Sequence, residues 1–273
     1  MLPGAALLLD ARPRPTEPFV WGWSSHPSVL IGAAVLGALY LYGTGPWRRR
    51  HLPGARVSGW QTASFFGALL SIVLSLNGPM HDLSDYYLFS VHMLQHLVLT
   101  LLMPPLFILG IPGWLVSPLL RPAPVLRFAR FLTHPLVAAL LFSVTLMLWH
   151  TVPFYDLMMR NHDVHIATHL MFMVTAVIMW WPVLGSAPEL PRLPEGLQML
   201  YLFLVSIPMQ IVAALIAMAD EVLYAWYAET PRTWGLSALQ DQQIGGLLMW
   251  VPGNLWIFGA IGIIFFRWAR TQK

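Results

Sequence analysis

Histidines with the spacing of metal ligands are the most informative residues of this 273-residue chain, which has ten histidines and no cysteine. His92 and His96 are four residues apart, and His165 and His169 repeat that spacing. Residues four apart on an α-helix share one face, so each pair would present two imidazoles one turn apart. Neutral imidazole is the commonest metal ligand in proteins. Two such pairs on facing helices can therefore supply three or four nitrogens to one ion.

The absence of cysteine narrows the choice of metal, because it excludes thiolate ligands as well as disulfides and cysteine nucleophiles from this chain. His150 and Asp241 are further candidate ligands, and Met93 is a weaker candidate beside the first histidine pair. Imidazole with a thioether and no thiolate suits copper better than calcium or magnesium. Zinc is the alternative, since it also binds imidazole and carboxylate.

Isolated histidines have a simpler explanation than metal binding. His26 and His81 are predicted to lie in loops, where hydrogen bonds to water, lipid headgroups or backbone carbonyls account for them. His162 extends the stripe of the second pair. The two pairs are different, because burying several imidazoles in a membrane costs free energy unless each has a partner. An ionisable group inside a membrane is therefore interpreted as part of a functional site.

The composition predicts that this chain is a membrane protein. The chain is 57% hydrophobic and 10% charged, with a mean hydropathy of +0.64. Soluble domains have about 25% charged residues, so this chain has too few charges to cover a solvated surface. It is also too apolar to be disordered or to bind nucleic acid, despite its net charge of +3. The remaining class is an all-α polytopic membrane protein, surrounded by lipid.

Seven apolar stretches are long enough to cross a membrane, given that a spanning helix needs about 20 residues. They predict one seven-helix transmembrane domain over residues 1–273, with no separate soluble domain. We expect no cleavable signal, because residues 1–10 lack a basic segment. The predicted spans are residues 27–42, 60–77, 87–109, 135–150, 164–184, 196–218 and 243–268.

Charge predicts the orientation of these spans, because lysine and arginine accumulate on the cytoplasmic side. Seven spans divide the basic residues into a set of eleven and a set of four, which predicts an outer N-terminus and a cytoplasmic C-terminus. Eight of the ten histidines, including both pairs, then fall on the outer side. The larger set is Arg48, Arg49, Arg50, Arg56, Arg121, Arg127, Arg130, Arg192, Arg267, Arg270 and Lys273, and the smaller set is Arg12, Arg14, Arg160 and Arg232.

Several segments together resemble the CtaG-type cytochrome c oxidase assembly factors, the family associated with caa-type oxidases. The sequence departs from the family at Thr168, where an acid is expected before the second histidine of span five, so a carboxylate partner for that pair is in question. The matching segments, in chain order, are His92-Met93-Leu94-Gln95-His96, Met103-Pro104-Pro105, Leu109-Gly110, Trp149-His150 with Pro153 and Tyr155, His165 and His169 before Trp180-Trp181-Pro182-Val183, and Asp241-Gln242 with Gly245-Gly246 and Met249-Trp250.

The resemblance implies a seven-helix protein of the bacterial plasma membrane that is needed to form active haem–copper oxidase. It implies a non-enzymatic role in which copper is passed to the CuB centre of the catalytic subunit of cytochrome c oxidase. Copper chaperones on the outer face are further expected partners. The ligands would be the two histidine pairs, assisted by His150 or Asp241.

Two other functions use the same histidines. The first is an intramembrane zinc hydrolase with a zinc-bound water, in which Asp241 or Asp82 acts as base or extra ligand. The second is an electron-transfer protein in which histidines from spans three and five bind haem. A retinal protein is excluded, because the single lysine of the chain, Lys273, lies in the tail and cannot form a Schiff base within a span.

Overall fold

The computed structural model describes residues 15–232 and 234–272, and within these residues the chain is helical with no β-strand. Arg12, Arg14 and Lys273, which contribute to the predicted orientation, lie outside the described residues. The described part contains ten helices of eight or more residues. In chain order they are α1 (Pro27–His51), α2 (Gly59–Ser75), α3 (Gly78–Tyr86), α4 (Phe89–Gly110), α5 (Ala123–Leu132), α6 (Pro135–Trp149), α7 (Val152–Arg160), α8 (His162–Leu184), α9 (Glu195–Ala217) and α10 (Ala238–Thr271).

Five of these helices (α1, α4, α8, α9 and α10) are long and apolar enough to cross a membrane. Two bent pairs, α2 with α3 at 50° and α5 with α6 at 62°, add one candidate span each. Each of the seven predicted stretches falls on a helix, which confirms the all-helical prediction. The described residues thus contain five to seven candidate spans.

The bend between α2 and α3 follows from the local sequence. Gly78 has a φ of 64°, in the left-handed region that favours glycine. Pro79 follows within the first turn of α3, where a missing backbone N–H costs nothing. This bend turns α3 and its histidine, His81, back against the bundle, so His81 lies in a helix and is buried, not in a loop as predicted.

Helix α10 packs closely against α9 and α4 because two adjacent glycines face them. A Cβ on Gly246 would lie 2.5 Å from the backbone nitrogen of Ala217 at the end of α9. A Cβ on Gly245 would overlap the ring of Phe89, the first residue of α4. Small residues allow membrane helices to approach at the distance of backbone contact. The Gly245–Gly246 pair therefore determines the spacing of these three helices.

Helix α4 is irregular in its middle, one turn after His96. Residues Val98–Leu102 form a π-turn, and Pro104 has no N–H to donate to the Thr100 carbonyl. The indole Nε1 of Trp180 on α8 donates to that carbonyl instead, at 3.1 Å. The proline therefore frees a backbone acceptor that joins α4 to α8 one turn beyond His96.

Replacing Gly246 by leucine should destabilise the bundle by about 1–3 kcal/mol, because the new side chain would force α9 and α10 apart. The measurement is the temperature at which the detergent-solubilised protein loses its monodisperse chromatographic peak. Gly259→Leu is the matched control, since a Cβ at Gly259 in the same helix meets no atom within 4 Å. Equal thermal stability of the two variants would contradict this account of the α9–α10 contact.

Candidate metal centre

Three buried imidazoles converge between α4 and α8. His92, His96 and His169 each offer a ring nitrogen, and these three nitrogens lie within 4.8 Å of one another. The Nε2 atoms of His92 and His96 are 2.8 Å apart. The rings of His92 and His169 face each other across the two helices, with centroids 5.8 Å apart. The structure thus brings together three of the six candidate ligands, hereafter the histidine trio.

The trio has nitrogens that are left without partners. Within the described residues, Nδ1 of His96 and Nε2 of His169 are buried and form no hydrogen bond. A buried polar atom without a partner costs about 1–3 kcal/mol. A metal ion would satisfy such nitrogens, and a set of neutral imidazoles is suited to copper or zinc. The residues present therefore fit a transition-metal ion.

His92 is held in place by partners from two other segments. Its Nδ1 lies 3.3 Å from the carbonyl oxygen of Ser84 on α3 and 3.1 Å from the hydroxyl oxygen of Tyr227. The Tyr227 hydroxyl donates to the same carbonyl at 2.5 Å. A proton on Nδ1 of His92 leaves the Nε2 lone pair directed at the trio. Metal-binding histidines are commonly oriented by a hydrogen bond of this kind on the opposite nitrogen.

The tyrosine side chains beside His92 form a second polar contact next to the trio, and Tyr155 adds no charge to it. The hydroxyls of Tyr155 and Tyr227 are 3.4 Å apart, and both rings are buried. Burial raises the pKa of the Tyr155 phenol well above its ordinary value, and the neighbouring Tyr227 raises it further. Tyr155 is therefore a neutral hydroxyl. Sequence spacing gave no signal for Tyr227, because it lies 135 positions from His92 in the chain.

His150 lies next to the trio without belonging to it. Its Nδ1 donates to the Leu146 carbonyl at 2.7 Å, so the lone pair is on Nε2. That Nε2 is buried and has no hydrogen-bond partner in the described part of the chain. The rings of His150 and His96 meet edge to face, with centroids 6.0 Å apart. His150 can thus approach an ion at the trio from the side of α6.

His165 faces a buried carboxylate. Its Nε2 is 3.3 Å from Oδ1 of Asp85, which is fully buried on α3. The other oxygen of Asp85 is 3.4 Å from Nε2 of His81. Asp85 was not among the predicted site residues, although its spacing of four from His81 was visible in the sequence. The family pattern has an acid at position 168, where this chain has Thr168, whose hydroxyl donates to the Val164 carbonyl. Asp85 instead provides a carboxylate for the second histidine pair.

Asp241 is a residue of α10 whose carboxylate lies at the N-terminus of α4, and the structure does not bring it into the trio. One carboxylate oxygen accepts from the backbone N–H of Phe89 at 2.8 Å, and the other from the backbone and hydroxyl of Ser90 at 3.1 and 2.6 Å. A carboxylate at this position pairs with the first N–H groups of the helix and with its dipole. Asp241 therefore positions α4. Met93 is also directed elsewhere, since it packs against Gly245 of α10.

The chain is similar in sequence to a known family and to several mycobacterial proteins. The family described as cytochrome c oxidase caa3 assembly factor matches residues 38–271. Uncharacterized proteins of Mycobacterium bovis and Mycobacterium tuberculosis are each 30% identical to the chain, and one of Mycobacterium leprae is 29% identical. These alignments cover 93% of this chain and 40% of each relative, so the chain spans two fifths of the length of these relatives. No solved structure matches significantly.

Asp241→Ala should lower the free energy of unfolding by about 1–2 kcal/mol, because it leaves the first N–H groups of α4 unpaired. Thermal unfolding of the purified protein in detergent measures the effect. Asp241→Asn keeps one acceptor oxygen and should lose less stability. Asp163→Ala, which removes an exposed acid from the first turn of α8, is the control. An Asp241→Ala variant as stable as this control would refute the capping role.

Proposed function

We propose that this chain, which belongs to the cytochrome c oxidase caa3 assembly factor family, binds a copper ion as cargo and passes it to the CuB centre of a nascent oxidase. The observation that carries the proposal is the histidine trio, because three buried ring nitrogens within 4.8 Å are a ready ligand set for one ion. The role is one of assembly, and no residue is assigned a catalytic step.

The trio suits an ion that must leave again. Three neutral imidazoles hold copper without the thiolates that would bind it more firmly. His150, with its unpaired Nε2 beside His96, is a fourth ligand that can replace one of the three during transfer. The buried carboxylate of Asp85 contacts His165, which neighbours the trio, and it compensates part of the positive charge of the ion.

The orientation proposed from the sequence places this centre where copper arrives. Seven spans with an outer N-terminus, forming one domain over residues 1–273 in the bacterial plasma membrane, put the trio in the outer half of the bundle. The CuB centre lies in the outer half of its own membrane subunit, as the family resemblance implies. The proposed partners are therefore the catalytic subunit of the oxidase and copper chaperones on the outer face.

The zinc hydrolase hypothesis uses the same trio with an open coordination position. It also needs a base at the ion, and neither predicted carboxylate belongs to the trio. Asp241 caps α4, and Asp82 accepts a hydrogen bond from the Ser24 hydroxyl at 2.8 Å. A haem between α4 and α8 is disfavoured by close packing, since the ring of Phe172 lies 4.7 Å from that of His96. Copper transfer therefore remains the preferred function.

Removing two members of the trio should abolish copper binding. We expect the purified wild-type protein, after loading and desalting, to retain about one copper per chain, and a His92→Ala/His96→Ala variant to retain less than about a tenth of that. Elemental analysis of copper and zinc provides the measurement. His134→Ala, which removes an exposed histidine before α6, should retain the wild-type amount. Equal copper in the wild type and the double variant would reject the ligand assignment, and firmly bound zinc would favour the hydrolase.

Cells whose only copy of this chain is the double variant should assemble oxidase that contains haem but lacks CuB. We expect oxidase activity per haem to fall by about tenfold or more, because the metal of the reaction centre is missing. Haem absorption spectra and oxygen consumption of isolated membranes measure the two quantities. The His134→Ala strain is the control. Normal activity per haem in the double-variant strain would overturn the proposed role in CuB formation.

A further inference from the structure

A cavity of about 310 Å³ lies between α1, the bent pair α2–α3, and α8. Its wall is largely aliphatic, yet five of the ten histidines of the chain line it. His169 belongs both to this wall and to the trio, so the cavity reaches the proposed copper centre. The five histidines are His26, His81, His162, His165 and His169.

The histidines are graded by depth along the cavity. His26 directly precedes α1 and His162 begins α8, and both are partly exposed. His81, His165 and His169 are buried. The seven residue steps from His162 to His169 cover about 10 Å along the axis of α8. The row of imidazoles therefore runs from the mouth of the cavity to the trio.

His26 is held at the mouth by two contacts of its own segment. Its backbone N–H donates to Oδ1 of Asn77 at 2.7 Å, and the N–H of Gly78 donates to the Ser24 carbonyl at 2.7 Å. These bonds bring the ring of His26 to 4.3 Å from that of His81, edge to face. The segment before α1 is thus fastened to the bend between α2 and α3, where it places a second histidine beside His81.

His81 has the arrangement of a metal ligand. Its Nε2 faces Asp85 at 3.4 Å, and its Nδ1 is buried without a hydrogen-bond partner among the described residues. A proton on Nε2 directed at the carboxylate leaves a lone pair on Nδ1, as in many histidines that bind metals. Asp85 also faces His165, so one carboxylate orients a histidine beside His26 and another beside the trio.

We propose that this cavity is the uptake route for copper, and that His26 and His81 hold the ion at its mouth before it moves to the trio. The inference rests on the proposed function of the trio and adds a second, transient site to it. A bare cation in an aliphatic cavity is strongly disfavoured, so the ion needs a ligand at every step. Each step forms one copper–nitrogen bond and breaks another, with no change in oxidation state.

The histidines that would hold the ion in turn along this route lie close to one another. Asp85 lies between His81 and His165, at 3.4 and 3.3 Å from their Nε2 atoms. The ring of His165 is 4.4 Å from that of His169 and 5.7 Å from that of His92. Imidazoles at these separations can exchange an ion by small side-chain rotations. The arrangement explains why half of the histidines of the chain line one cavity.

Two variants test the route, one that fills the cavity and one that removes a ligand at its mouth. Gly32 lines the cavity and a Cβ there meets no atom within 4 Å, so Gly32→Phe fills the cavity without removing a ligand. His26→Ala removes a ligand at the mouth. Each variant should take up Cu⁺ from its bicinchoninate complex about tenfold more slowly than the wild type, as followed by stopped-flow loss of the coloured complex. Their final copper content should equal that of the wild type.

Gly259→Phe is the matched control, because Gly259 is also an exposed helical glycine with open space at its Cβ, but on α10. It should load at the wild-type rate. Wild-type rates in Gly32→Phe or His26→Ala, or a lower final copper content in them, would overturn the route alone. A wild-type protein that takes up no copper would overturn the proposed function and the route together.

Discussion

Each imidazole nitrogen buried in an apolar helical bundle needs a partner, and this constraint explains the arrangement around the histidines. The carbonyls of Ser84 and Leu146 each face a nitrogen of one histidine, and the carboxylate of Asp85 faces a nitrogen of both His81 and His165. At His150 the other nitrogen has no partner among the described residues. Among the described residues, Nδ1 of His96 and Nε2 of His169 are likewise without a partner. A metal ion is the partner that such a set would accept.

The position of α4 decides whether the trio can form, and α4 is held along its whole length. Asp241 binds its first N–H groups, and Trp180 binds the carbonyl that Pro104 leaves free. At the far end the Tyr40 hydroxyl donates to the Gly110 carbonyl at 3.1 Å. These contacts come from α10, α8 and α1. The helix that carries His92 and His96 is therefore fixed by residues that have no part in binding an ion.

Holding and admitting an ion place different demands on the protein, and different helices meet them. The trio is enclosed by α4, α8 and the rings of Tyr155 and Phe172, which exclude water and leave nitrogens without partners. The cavity beside α1 is bounded by a helix whose side chains are mostly exposed. Asp85 contacts His81 and His165, which both line this cavity, and His165 neighbours His169 of the trio. A single buried carboxylate can thus assist both retention and movement of a cation.

The amino-acid sequence alone determined the membrane class, the helices at all seven apolar stretches, and the shared helical face of His92 with His96 and of His165 with His169. Helical periodicity fixes neighbours within a turn or two, which is why these inferences need no tertiary information. Which nitrogens converge depends on the depth and rotation of one helix against another. These follow from contacts between residues distant in sequence, such as Gly246 with Ala217. Only the tertiary structure therefore separated the trio from His165, assigned Asp241 to the N-terminus of α4, and brought Asp85 and Tyr227 to the histidines.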